Sequence, residues 1–295
     1  MEKSKSNEPS ELKDVRGALD IVMDKKVREY HVATETKYFV EDRRLIKCSS
    51  DMNITIDFLR FSKDHDIMDV HVTRQENNYG ISDMQEEQLR LMDQVSDIQA
   101  HLTLAIDRYG RIKNVLNFDE LHDKWQDIKT RINPNSDEMA KIIHDGDEVY
   151  GMGEARFAKR LNMATPYKAL GMGLFSFEKA TRNDDSFRWK MPSTLIPTIG
   201  IDLNIIRDDV VSDPFEPITL QVFRNRTAQF NAYKIEAKFR SLFPLLKKQM
   251  GNYRLQFSCS VNKDDQHGWP VSIEWAMSEC VSPVLADVHC KVELV

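Results

Sequence analysis

The sequence predicts an α+β fold, with antiparallel, curved β-sheet from the N- and C-terminal segments and a helical region between them. Three observations predict it. Apolar and polar residues alternate with period two from about 28 to 72 and again from about 183 to the end. The turns between these strands are too short for parallel crossovers. Helical spacing is concentrated between 83 and 178. The chain then divides into a tail with a short helix (1–27), an antiparallel β half with helices (28–132), a helical connector (133–182) and a second antiparallel β half (183–295).

Residues 1–9 are polar. Ser10 is placed to cap a helix carrying Leu12, Val15, Leu19 and Val22, although part of 17–27 also fits a strand. Tyr30, Val32, Thr34, Thr36, Tyr38 and Val40 share one phase. Met52, Ile54, Ile56 and Phe58 repeat it, and Met68, Val70 and Val72 follow after a turn at Ser62–His65. Ser82 and Gln85 form a capping box for a helix over 83–97.

The next stretch organises the rest. Leu102, Leu104 and Ile106 form a strand, Asp107 to Gly110 a tight turn, and Ile112 to Leu116 a returning strand. Asn117 or Asp119 is placed to cap a helix whose Leu121, Trp125, Ile128 and Ile132 make one apolar stripe. Further helical pieces are predicted from Asn135 and over 160–178, weakened by glycines. Strands return at Ile199–Ile205, Ile218–Val222 and Tyr233–Phe239, followed by a short helix over 242–250. Three alternating strands finish the chain: Tyr253–Val261, Val271–Met277 and Val284–Leu294.

The 295 residues are 41% hydrophobic and 30% charged, a globular composition with length enough for a real core. A net charge of −6 selects against nucleic acid as a partner, which demands clustered Lys and Arg. There is no apolar run of membrane-spanning length. With no apolar leader at the N-terminus, the expected compartment is the cytoplasm, with a mature exported form as the alternative. Cys48, Cys259, Cys280 and Cys290 contain no metal-binding spacing and are expected as free thiols, with a Cys259–Cys290 bridge left open.

Catalytic and cofactor motifs are missing. Gly151-Met152-Gly153 and Gly171-Met172-Gly173 have neither the third glycine nor the Lys of a phosphate cradle, and read as helix interruptions or hinges. Asp69 and His71 share a strand face and could form a metal or acid–base pair with His65 and Asp66 nearby, but a solvated outer face explains them as well. The run Asp145–Glu148 lacks calcium-loop spacing. No catalytic residue, metal site or cofactor is therefore expected. Trp269, His267 and Tyr109 occupy hairpin tips and are the candidates for contact with a partner.

The segment AIDRYGRIKNVLNFDELHDKWQDIK resembles a strand–turn–strand–helix pattern of uncharacterised bacterial β-rich proteins, and the HGWPVSIEW hairpin is similar to those of lipoprotein-carrier-like proteins. The latter resemblance implies a curved antiparallel sheet that holds an apolar ligand. No functional residues transfer with it. The expected function is a non-catalytic protein-binding role, with toxin neutralisation or assistance to secretion as examples. The alternatives are a carrier of a small apolar ligand and an enzyme with a dispersed active site.

Overall fold

The structure, a computed structural model, describes residues 27–62, 67–79, 94–95, 97–107, 110–132, 137–174, 186–196, 198–210, 218–246, 251–264 and 269–295. Its first five strands are β1 (Arg28–Val40), β2 (Arg43–Ser62), β3 (Ile67–Tyr79), β4 (His101–Asp107) and β5 (Ile112–Val115). Four helices follow: α1 (Phe118–Arg131), α2 (Asp137–Tyr150), α3 (Glu154–Leu161) and α4 (Thr165–Leu174). The chain ends with β6 (Ser186–Pro192), β7 (Gly200–Val210), β8 (Ile218–Gln229), helix α5 (Ala232–Leu242), β9 (Tyr253–Asp264), β10 (Pro270–Val281) and β11 (Val284–Leu294).

The strands form one antiparallel sheet in the order β5-β4-β3-β2-β1-β11-β10-β9-β8-β7-β6. It is curved but not closed into a barrel. The first and last strands meet in the middle, with Tyr30 opposite Leu294 and Val40 opposite Val284. That pairing joins the N- and C-terminal β halves into a single sheet.

One sheet face is covered. Tyr30 and Val32 of β1, Met52 to Ile56 of β2, Met68 to Val72 of β3 and Leu102 to Ile106 of β4 alternate into a large cluster with Trp125, Tyr150 and Phe157 from the helices. The C-terminal strands add Phe257, Ile273, Trp275 and Val292 to it. At the other end of the same face, Tyr38 and Val40 join a smaller cluster with Ile235 and Phe239 of α5 and Val281 and Val284. A fully buried Phe or Trp of this kind contributes about 2–3 kcal/mol or more, so the covered face is where the stability lies.

Local chemistry explains the joints. The Asp107 carboxylate accepts from the Arg111 amide (3.0 Å), and Gly110 takes φ +73° in the turn. Asn117 does precede α1, but its side chain does not cap it. Instead, its amide accepts from Thr103 N–H (2.9 Å) and donates to His101 C=O (3.0 Å), fastening the helix entry to β4. The short edge strand β5 is sealed by side chains of α3 and its C-terminal flank. Val115 N–H donates to Glu154 (2.9 Å), and Asn162 accepts from Ile112 N–H (2.8 Å) while donating to Ile112 C=O (2.7 Å). A ladder partner is thereby imitated and the edge is blunted.

Of the glycines predicted as helix interruptions or hinges, Gly151 and Gly153 do separate α2 from α3, whereas Gly171 and Gly173 are close approaches within α4. A Cβ on Gly171 would stand 2.4 Å from the Gly110 carbonyl oxygen, and one on Gly173 would stand 2.3 Å from Ile273 Cδ1. They let α4 lie against the β4–β5 turn and β10.

Three expectations need correction. Tyr233–Phe239 is helix, because Ile235 and Phe239 stand four apart on one face and Asn231 caps the start by accepting from Lys234 N–H (3.0 Å). Of the predicted 242–250 helix, Leu242 ends α5, Phe243 is its C-cap, 244–246 form a turn, and 247–250 lie outside the described residues. In β8 the buried phase is Gln221 and Phe223, whereas Val222 faces the other way. Of the 83–97 helix, Gln94, Val95 and Asp97 are helical and the rest lies outside the described residues, as do residues 63–65 of the Ser62–His65 turn and residues 10–26 of the 10–27 helix.

Candidate functional site

The face of the sheet that carries no helix among the described residues, called the helix-free face below, is hollowed where its central strands curve. The hollow has a volume of about 770 Å³ and is lined by β2, β1, β11, β10, β9 and β8. Six strands at ordinary spacing span about 24 Å. Its floor is made of small side chains: Ala33 from β1, Ser49 from β2, Ala276 from β10, and Ser258 and Ser260 from β9. These residues alternate with the buried phase of the same strands, so the pattern that builds the core on one face builds the hollow on the other.

Charged residues surround the floor. Glu35 lies between Lys37 and Lys47, 2.5 Å from the latter, and hydrogen bonds from both ammonium groups bring its carboxyl pKa down to about 2. Asp51 pairs with His31 Nε2 (3.3 Å). Lys291 pairs with Glu293 (2.6 Å), whose hydrogen bond and charge raise the ammonium pKa, with Glu274 adding to the effect. His289 stands in register between Glu35 and Ala276. These groups make a hydrogen-bonding surface of mixed sign. Glu35, Asp51 and Lys291 are thus each held by a neighbour on the same or the adjacent strand.

The covered face holds the unusual titratable groups. Glu279, fully buried on β10, accepts from the Ser193 hydroxyl and from the backbone N–H groups of Thr194 (2.6 Å) and Leu195 (3.3 Å). Burial raises its pKa, and those hydrogen bonds partly offset the shift. The Tyr253 hydroxyl lies beside it. Glu279 thus anchors the 193–196 loop to β10. Lys168 of α4 is 5% exposed, and burial brings its pKa down to about 8.

The structure places the predicted site residues as follows. Trp269 is 1% exposed, its ring edge-on to Phe58 at 4.8 Å with the Arg28 guanidinium 5.2 Å above it. His267 and Tyr109 lie outside the described residues. His65 and Asp66 do too, while Asp69 bonds Arg60 and His71 bonds Thr103 (3.3 Å), stacking on His101. Among the described residues, no group of three or more His, Cys, Asp or Glu is arranged to hold a metal. Asp147 of the acidic run accepts from Trp125 Nε1 (2.9 Å) and Lys129 (2.6 Å), joining α1 to α2.

Cys259 and Cys290 are free and buried, on either side of Trp275 in register. Two strand spacings, about 9.6 Å, exceed what a disulfide spans. Burial raises both thiol pKa values, that of Cys290 to about 11. No helix among the described residues is long and apolar enough to cross a membrane.

Sequence reasoning missed the hollow, because Ala33, Ser49, Ser258, Ser260 and Ala276 are spread over more than two hundred positions. The one available signal was the run of small residues on the polar phase of strands otherwise rich in charge.

No protein-family model matches the chain, and no curated protein matches it. Among solved structures, one titled "Lipid-protein interactions in lipovitellin" is similar over 92% of this chain, at 10% identity and a TM-score of 0.44. The chain spans 25% of the length of that protein. DynF from the dynemicin biosynthesis pathway of Micromonospora chersina aligns with 91% of this chain and 80% of its own, at 6% identity and a TM-score of 0.18. At these values neither likeness bears on function.

Proposed function

We propose that the chain is a non-catalytic binding protein that receives a segment of another protein in the hollow of the helix-free face. One observation carries the reading: five small side chains from four strands, three of them serines, lie under a rim of charges already held in ion pairs. Small side chains leave room for a partner's larger ones. Serine hydroxyls and strand-edge carboxylates offer hydrogen bonds, and the rim side chains are ordered before binding, which lowers the entropic cost of association. The volume also suits one anchored loop or strand.

The test is native mass spectrometry of the protein gently captured from the cells that make it, alongside the variant Ala276→Trp, which fills the floor. A stoichiometric protein partner that is lost from Ala276→Trp, with the fold intact by circular dichroism, is the expected result. A partner that binds both forms equally would remove the hollow from the reading.

A second reading, a carrier of a small ligand with an apolar body, draws on a different observation. Tyr30 Oη, Trp269 Nε1 and Trp275 Nε1 on the covered face are buried without hydrogen-bond partners among the described residues. Each such group costs about 1–3 kcal/mol if unmet, and a ligand's polar atoms between sheet and helices would meet it. An added mass of a few hundred daltons in the same spectra would establish this reading over the first.

A further inference from the structure

The charges around the hollow do not balance from one half to the other. In one half, Glu35 meets Lys37 and Lys47, and Asp287 stands opposite Lys37, so two carboxylates face two ammonium groups. In the other half, Lys291 is shared by Glu293, at 2.6 Å, and by Glu274, whose charge also acts on it. Asp51 has the His31 imidazole at 3.3 Å, which cancels no charge while it is neutral. Three carboxylates therefore share one ammonium group. Neither Asp51 nor Glu274 has a further ion pair among the described residues.

The two carboxylates left in excess stand at the ends of one row. Asp51 on β2 faces Ala33 on β1, Ala33 faces Lys291 on β11, and Lys291 faces Glu274 on β10. Three strand spacings separate the ends by about 14 Å. That is too far for a single metal ion, and no metal-holding group is present among the described residues. It matches about four residues of extended chain, and residues four apart on a strand point to the same side. Ala33 keeps the middle of the row low, and Ser260 continues it beyond Glu274. An excess of negative charge repels acidic segments and nucleic acid alike, and favours a cationic occupant.

We propose that the hollow takes an extended, basic segment of a partner protein laid across the strands, with two Lys or Arg side chains four residues apart meeting Asp51 and Glu274. The basic segment presupposes a hollow that binds protein, and adds to it the chemistry of the occupant. Polar residues between the two cations would meet Lys291 and the serine hydroxyls.

The experiment is a titration of the full, isotopically labelled chain with acetyl-Ser-Lys-Ser-Val-Ser-Lys-Ser-amide, read residue by residue from backbone amide NMR shifts. Its controls are the Glu-for-Lys peptide, a peptide of the same composition with adjacent lysines, and spermine. The expected result is saturable shifts at Ala33, Asp51, Lys291 and Glu274 with the first peptide, weakened by added salt. Binding should be about fivefold or more weaker in Asp51→Asn/Glu274→Gln, the scale of two lost surface ion pairs. Glu274 is exposed and the Asp51 side chain is 42% exposed, so the variant keeps its fold, which circular dichroism checks. Equal binding of the Glu-bearing peptide, of the adjacent-lysine peptide or of spermine would overturn the proposal. So would equal binding by the variant, shifts confined to other residues, or no saturable binding. Peptide binding that survives Ala276→Trp would count against the hollow itself. Loss of binding in Ala276→Trp without any change in Asp51→Asn/Glu274→Gln would keep the hollow and remove the basic segment alone.

Discussion

Replacing Glu279 by Ala removes one buried carboxylate that three donors share. The Thr194 and Leu195 N–H groups are left facing an apolar wall of Leu195, Ile196, Val281 and Val284. Ser193 loses its acceptor while its own oxygen still accepts from Ile196 N–H at 2.8 Å. Each stranded amide costs about 1–3 kcal/mol, and the released desolvation penalty of the charge returns part of it. The net expectation is a loss of about 2–4 kcal/mol. Urea unfolding followed by tryptophan fluorescence measures it, since Trp125, Trp269 and Trp275 are all buried. The pH dependence supplies an independent check. Burial raises the folded-state pKa of Glu279, so the group favours the fold most below its ordinary value of 4.5, and that contribution is lost as pH rises through the raised value. Glu279→Gln should lack this decline. A Glu279→Ala loss below about 1 kcal/mol, or a wild-type profile matching that of Glu279→Gln, would refute the anchoring role.

Three further outcomes follow from the packing and the rim. Gly171→Ala sets a methyl 2.4 Å from the Gly110 carbonyl and should destabilise by about 1–3 kcal/mol, read as a lower urea midpoint. Asp147→Ala removes the acceptor shared by Trp125 and Lys129 and should cost about 1–2 kcal/mol with a shift in tryptophan emission, whereas an unchanged spectrum would show that the α1–α2 joint does not depend on it. The Glu35 carboxyl, lowered to about 2, contributes stability present above 4.5 and lost as pH falls from 4.5 towards 2. Urea midpoints between those pH values should fall less steeply in Lys47→Met.

Much of the framework was readable from spacing alone. Alternation in β1 to β4 and in β9 to β11 follows directly from one buried face, and the Leu121–Trp125 stripe follows from a helix resting on a sheet. Residues 233–239 misled because Tyr233, Ile235, Ala237 and Phe239 fit period two as well as Ile235 and Phe239 fit period four. The Asn231 cap was the deciding signal. In β8 Leu220 and Val222 occupied the outward phase, and only the neighbours on β7 and β9 showed that Gln221 and Phe223 turn inwards. The glycine pairs were visible as residues but not as contacts, since Gly110 and Gly171 meet across sixty-one positions.

The candidate sites divide in the same way. The amino-acid order by itself determined the α+β class, the antiparallel strands, the Asp107–Gly110 turn and the small residues on the polar phase, because each depends on neighbours within a few positions. Only the tertiary structure decided that β1 closes on β11 and that the middle of the sheet hollows away from the described helices. Those features arise from pairing between distant strands and from the accumulated twist of eleven of them. Local periodicity carries no information about which edge meets which. Pairing of the two terminal strands set the order and, with it, the place of the hollow.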